Sequence, residues 1–202
     1  MKRIIVGISG ATGAIYGIRT LEILRKHPEV EIHLVVSEAA GLTIEEETNW
    51  KLKEVLGLAH FAYDIGDIGA SVSSGSFLHE GMIIAPCSIK TMSMISNSIN
   101  LNLLVRSADV TLKERRKLVL LVREAPLHLG HLRLMTQLAE IGAMIYPPVP
   151  SFYHKPETID DIINQTVGKV LDHFGINHDL FKRWYGRKTQ EAINESERSR
   201  KG

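Results

Sequence analysis

The sequence predicts an α/β domain built on a mainly parallel sheet with helices on both faces. Two observations carry that prediction. Short apolar runs alternate along the chain with segments of helical spacing, the order expected of βα units. The runs are also apolar throughout rather than at every second residue, the pattern of strands covered on both sides. Composition permits the fold: of 202 residues, 44% are hydrophobic and 23% charged, enough apolar material for a sizeable core.

The first strand is read at 3–8 (RIIVGI), β-branched and followed by the glycine-rich stretch VGISGATGAIYG. A helix follows at 14–26, with Ile15, Ile18, Leu21, Ile23 and Leu24 at helical spacing. The second strand is 31–36 (EIHLVV), and 41–56 reads as a polar-rich helix. The third strand is 81–85 (GMIIA), ended by Pro86, with a helix over 89–99. The fourth strand is 117–122 (KLVLLV), and the helix at 129–141 is closed by Gly142. A short fifth strand at 143–146 runs into Pro147, Pro148 and Pro150. The last helix, 158–174, has Thr158 as its N-cap, Asp160 and Asp161 in its first turn and Gly175 beyond its end. One domain is expected over 1–186, then a charged tail at 187–202 (RKTQEAINESERSRKG) with too few apolar residues to pack.

Net charge is +1, so no global field favours nucleic acid or an anionic membrane. The single cysteine, Cys87, permits no disulfide within the chain and fits a reducing compartment. No stretch approaches 18 apolar residues, and the opening run is too short for a signal-peptide core, so a cytoplasmic protein is expected.

In folds of this class ligands bind beyond the carboxyl ends of the strands. Those ends carry Ser9-Gly10-Ala11-Thr12-Gly13, then Ser37 and Glu38, then Cys87-Ser88-Ile89-Lys90-Thr91, then Arg123 and Glu124. The glycine turn is neither a P-loop, which needs GxxxxGK, nor a GxGxxG fingerprint, since its glycines fall at 7, 10, 13 and 17. It reads either as a tight turn without ligand or as an anion site at a helix start. With Ser37 in place of a ribose-gripping acid, a mononucleotide is favoured over a dinucleotide. Ser88 and Thr91 read as a phosphate cradle or as a simple N-cap. Cys87 reads as packing rather than as a nucleophile, with no histidine at a suggestive spacing. Six cations lie between Arg106 and Arg123, namely Arg106, Lys113, Arg115, Arg116, Lys117 and Arg123. Arg115 and Arg116 read as a solvated helix face. Arg123 should be held at the sheet's end, where a guanidinium suits a phosphate. Glu124 is a proton carrier or a salt-bridge partner. Tyr153 and Lys169 form a weaker pair of phosphate candidates.

Six segments in this order, GISGATGAIYG, VVSEAA, SSGSF, APCSIKT, RSADVTLKERRKLVLLVREAP and PSFYHKP, resemble the UbiX and phenylacrylic acid decarboxylase-like family of flavin prenyltransferases. The resemblance runs from about Arg3 to Trp184. It implies a Rossmann-like three-layer α/β/α flavoprotein fold, homo-oligomers up to dodecamers, and active sites at subunit interfaces. It implies FMN, in reduced form, as a substrate that receives a dimethylallyl group from dimethylallyl monophosphate at N5 and C6, without a metal. The product would serve a UbiD-type decarboxylase. Matched residue by residue, FMN would be bound by Gly10, Ala11, Thr12, Ser37, Ser88, Ile89, Lys90, Thr91 and Arg123. The prenyl phosphate would meet Tyr153, Lys169 and Arg106, and Glu124, Glu47 and Lys113 would line the reacting centre. The sequence departs from the family at three places: Ile68 stands near a tryptophan of several relatives, Lys169 where some carry arginine, and Val122 where a proline is common. The alternatives sharing this fold are a cysteine-type flavin decarboxylase, whose PxMNxxMW segment is missing here, and a flavin-binding accessory subunit of an aromatic acid decarboxylase.

Overall fold

The computed structural model describes residues 1–184 and 186; the charged tail expected at 187–202 lies outside them. The chain falls into two compact units, residues 1–149 and 150–202.

The first unit holds the sheet. Its strands are β1 (Lys2–Ile8), β2 (Val30–Val36), β3 (Phe61–Tyr63), β4 (Gly81–Cys87), β5 (Lys117–Val122) and β6 (Ala143–Ile145). They lie in the order β3-β2-β1-β4-β5-β6, and every pairing is parallel. The order reverses between β1 and β4, and that reversal leaves a crevice at their carboxyl ends. The two central strands are buried on both faces: Ile4, Ile5, Val6 and Ile8 are inaccessible, as are Met82, Ile83 and Ile84. Each such side chain contributes roughly 1.5–3 kcal/mol relative to exposure, which explains why these runs show no alternation.

Helix α1 (Ala14–Leu24) packs against β1, β2 and β4, with α2 (Glu38–Glu47) beside it. A short α3 (Leu52–Leu56) follows. The other face of the sheet carries α4 (Ile89–Ser96), α5 (Leu103–Lys113) and α6 (Leu129–Glu140), joined to it through a core that includes Ile5, Met82, Leu104, Leu120 and Leu138.

Three departures from the sequence expectation have local causes. The helix expected over 41–56 is two helices. Thr48 ends the first by bonding the Ile44 carbonyl and then accepts from the Trp50 N–H, turning the chain. Helix α5 was hidden because part of its buried face is polar: Ser107 and Thr111 are both inaccessible, and the Thr111 hydroxyl donates to the Ser107 carbonyl at 2.7 Å. Strand β3 is three residues at the sheet's edge, two of them exposed, and leaves no periodic signal.

The second unit contains α7 (Ile159–Asp172). Thr158 caps it as expected, with Asp161 closing a capping box by accepting from the Thr158 N–H at 2.9 Å. Asp160 and Asp161 are thus helix-start acids. No helix among the described residues is long and apolar enough to cross a membrane.

Candidate active site

The carboxyl ends of four adjacent strands are stitched together by hydrogen bonds. The Ser37 N–H donates to the Ile8 carbonyl at 3.0 Å, joining the ends of β2 and β1. The Ser9 hydroxyl donates to the Pro86 carbonyl at 2.9 Å and accepts from the Ser88 N–H at 2.8 Å, joining β1 to β4 across the reversal. The Arg123 N–H donates to the Cys87 carbonyl at 3.1 Å, joining β4 to β5. With strands about 4.8 Å apart, this places the Ser37, glycine-turn, Ser88 and Arg123 ends along an edge of roughly 15 Å. Ser9 is more than the first residue of the turn. Its two bonds make it the fastener of the crevice, and the only sequence signal was a hydroxyl between a strand and a glycine.

Groups along this edge remain available. Among the described residues, nothing accepts from the N–H groups of Gly10 or Thr12, the Thr12 hydroxyl, the Lys90 ammonium or the Arg123 guanidinium. Ser88 caps α4 by accepting from the Thr91 N–H at 3.2 Å and donates to the Thr91 hydroxyl. That satisfies the N-cap reading, yet leaves the Ile89 and Lys90 N–H groups open at the helix start. Ser37 likewise caps α2, accepting from the Ala40 N–H. Gly10 has to be glycine for packing: a Cβ there would sit 2.4 Å from the Ala39 Cβ. Free N–H groups, two helix starts and two unpaired cations suit an anion on a mononucleotide. A cavity of about 330 Å³ opens on the far side of Ser37, lined in part by Glu38, Leu52, Tyr63 and Asp64; its two carboxylates disfavour phosphate there.

The acids divide. Glu47, the last residue of α2, reaches back to accept from the Gly13 N–H at 2.7 Å and the Ala14 N–H at 3.4 Å, so its carboxylate caps α1 and fixes the turn. Glu124 is exposed at the end of β5 and, among the described residues, accepts only from the next N–H, that of Ala125. Cys87 is fully buried, and desolvation pushes its thiol far above the usual range, so it is inert packing.

Lys113 is not brought to this edge, and the other remaining candidates are already paired within their own units. Lys113 ends α5 just before β5 starts, at the amino edge of the sheet, and is ion-paired with Glu114. Arg106 pairs with Asp109 at 3.4 Å. In the second unit, the Tyr153 hydroxyl accepts from the Gln165 amide at 3.3 Å, and Lys169 lies 3.6 Å from Asp172, which Arg183 also grips with two bonds. The expectation that Arg116 is a solvated face is corrected. It is half-buried, and its guanidinium donates to the Phe77 and Gly75 carbonyls at 2.7 and 2.8 Å. Only the neighbouring Arg115, exposed with φ 54°, keeps that reading. Among the described residues, no group of three or more His, Cys, Asp or Glu is placed to hold a metal ion.

A flavoprotein family profile matches residues 1–171. The flavin prenyltransferase UbiX of Thauera aromatica is 61% identical over 189 residues, covering 94% of this chain and 97% of that protein. The chain belongs to the UbiX-like flavin prenyltransferase family. Two solved structures in the family superpose over nearly the whole chain. A dodecameric FMN-dependent UbiX-like decarboxylase from Escherichia coli O157:H7 gives a TM-score of 0.89 at 48% identity, covering 91% of this chain and all of that one. AnUbiX in complex with FMN and dimethylallyl pyrophosphate gives 0.89 at 47%, covering 92% and 98%. The peptidyl-cysteine decarboxylase EpiD, at 19% identity and a TM-score of 0.56, shares the fold alone with this UbiX-like chain.

Proposed function

We propose that this protein is a flavin prenyltransferase that joins the dimethylallyl group of dimethylallyl monophosphate to N5 and C6 of reduced FMN. The observation that carries this reading is the fastened strand-end cradle with its Arg123 and Lys90 side chains, unpaired among the described residues, in a chain 61% identical to a flavin prenyltransferase. In this reading residues 1–186 act as one catalytic domain. Gly10, Ala11, Thr12, Ser37, Ser88, Ile89, Lys90, Thr91 and Arg123 hold the flavin mononucleotide.

Chemically, the allylic C–O bond breaks and its electron pair leaves with phosphate. Flavin N5 bonds the freed allylic carbon and gives up its proton; the remaining C=C then takes up a proton, its tertiary carbon bonds C6, and the proton displaced from C6 passes to a base. Cations at the leaving phosphate stabilise charge that grows as the bond breaks. Arg106, Lys113 and Lys169 take that role, the Tyr153 hydroxyl donates to the phosphate, and Glu124 carries the proton. Lys113 sits at the amino edge, opposite the cradle in its own chain, so it would serve the site of a neighbouring copy. That requirement fits a homo-oligomer, as in the dodecameric relative. The prenylated flavin would pass to a UbiD-type decarboxylase, in a cytoplasmic setting that suits the single buried thiol.

The deciding experiment mixes the protein with reduced FMN and dimethylallyl monophosphate and records the flavin's mass. A flavin heavier by the dimethylallyl unit is expected. An unchanged mass with FMN tightly bound would overturn the reading and leave a flavin carrier.

A further inference from the structure

We propose that Arg116 is a positioning residue for the prenyl donor, acting by clamping the SSGSF loop onto the Lys113–Glu114 pair. The inference rests on Lys113 serving as a donor-site cation. Arg116 enters β5 from a turn in which its own N–H bonds the Thr111 carbonyl at 2.9 Å and Arg115 is left-handed. The turn aims the guanidinium at the loop before β4. There it donates through Nη1 to the Phe77 carbonyl and through Nη2 to the Gly75 carbonyl. A planar fork spanning two carbonyls fixes both position and tilt of the loop, which an ammonium does not.

The clamped loop has its own effect on Lys113. A Cβ on Gly75 would lie 2.2 Å from the Glu114 Oε1 and 2.9 Å from the Lys113 Nζ. The loop backbone therefore lies directly against the ion pair, and only a glycine allows it. The Lys113 contact in turn holds the Glu114 carboxyl below the usual carboxylate range. Backbone, carboxylate and ammonium form one unit whose geometry depends on Arg116. Ser74 and Ser76 belong to the same loop, with the Ser74 hydroxyl accepting from the Ser76 N–H. A rigid, cationic, hydroxyl-bearing face of this kind suits a phosphate monoester presented by a neighbouring copy's flavin site.

The test compares Arg116→Gln, Arg116→Lys, Gly75→Ala and Lys113→Ala in the assembled protein. Each is measured for donor KM, kcat, FMN Kd and oligomer mass. Arg116→Gln should raise the donor KM about tenfold, with FMN Kd and oligomer mass unchanged. Arg116→Lys should not rescue it. Gly75→Ala meets only the far ends of two flexible side chains, so it should fold and raise the donor KM several-fold by parting the pair. An unchanged donor KM in folded Arg116→Gln overturns the proposal. Should that variant fail to assemble, an unchanged donor KM in Gly75→Ala does so instead. If Lys113→Ala leaves donor kinetics intact, the assignment of Lys113 itself fails, a different result from Lys113 mattering while Arg116 does not.

Discussion

The strand-end cradle and the set of residues assigned to the prenyl donor are built on opposite principles. In the cradle, the backbone is fastened and the ligand-facing groups are idle. Ser9, Ser37 and the Arg123 N–H stitch neighbouring loops, while the Gly10 and Thr12 N–H groups, the Lys90 ammonium and the Arg123 guanidinium have no partner among the described residues. In the donor set every side chain is already engaged: Arg106 by Asp109, Lys113 by Glu114, Tyr153 by Gln165 and Lys169 by Asp172. A preformed cradle in one chain binds without reorganisation. Residues paired at home must exchange partners or be delivered as pairs, which suits a site completed by assembly.

The contrast makes ordered predictions. The largest effect should come where chemistry meets the cradle: Glu124→Gln should lower kcat by about a hundredfold or more, while FMN Kd stays within about twofold. Turnover near wild type in a single-turnover flavin assay would remove Glu124 from the reaction. Next, Arg123→Ala should weaken FMN binding by about thirtyfold, read by flavin fluorescence, because an idle guanidinium offers its whole charge-assisted bond to the ligand. By contrast, Lys169→Gln should cost the donor KM only about fivefold and leave FMN Kd alone, since that ammonium is already half-committed to Asp172. Equal losses of FMN affinity in the Arg123 and Lys169 variants would erase the distinction between the two regions. Gly10→Ala is smaller still. It forces Cβ against the Ala39 Cβ and should destabilise the fold by about 1–3 kcal/mol in denaturant melts, through overpacking of the turn against α2.

The same contrast explains what the sequence revealed. The cradle was legible because its parts follow strands: apolar runs located the strand ends, and glycines, hydroxyls and Arg123 followed them directly. Parallel pairing was legible because the runs are apolar throughout, but the strand order that puts β1 and β4 at the centre was not. Helix α5 was not, because Ser107 and Thr111 are buried in place of apolar residues. The clamp by Arg116 was not, because its partners are the carbonyls of Gly75 and Phe77, some forty residues earlier. A carbonyl leaves no mark in a sequence, so a half-buried arginine bonded to backbone looks like any surface cation. Glu47 was legible as an acid near the site, but its capping of α1 depends on α2 folding back over the turn.

The smallest effect concerns pH, and it should strike the sheet's amino side before the cradle. His33 and His79 are both buried beside Phe77, whose carbonyl Arg116 holds. Desolvation lowers both imidazoles from 6.5, His79 to about 4, with the Glu31 contact opposing the shift at His33 and Arg116 reinforcing it at His79. Between the folded and unfolded values the unfolded chain binds more protons, so stability is complete above about pH 6.5 and drains away as pH falls toward 4. Glu31, lowered by its hydrogen bond from His33, adds loss in the same direction below about pH 4.5. Allowing for solvent screening, Tm should fall by about 3 °C between pH 7 and pH 5. His79→Gln should flatten that slope. The His33–Tyr63–Ser71 chain of hydrogen bonds runs into the segment that precedes the SSGSF loop. Acid should therefore raise the donor KM at a pH where FMN Kd is still unchanged. Were FMN affinity to fall first, the cradle rather than the amino edge would be the acid-sensitive region.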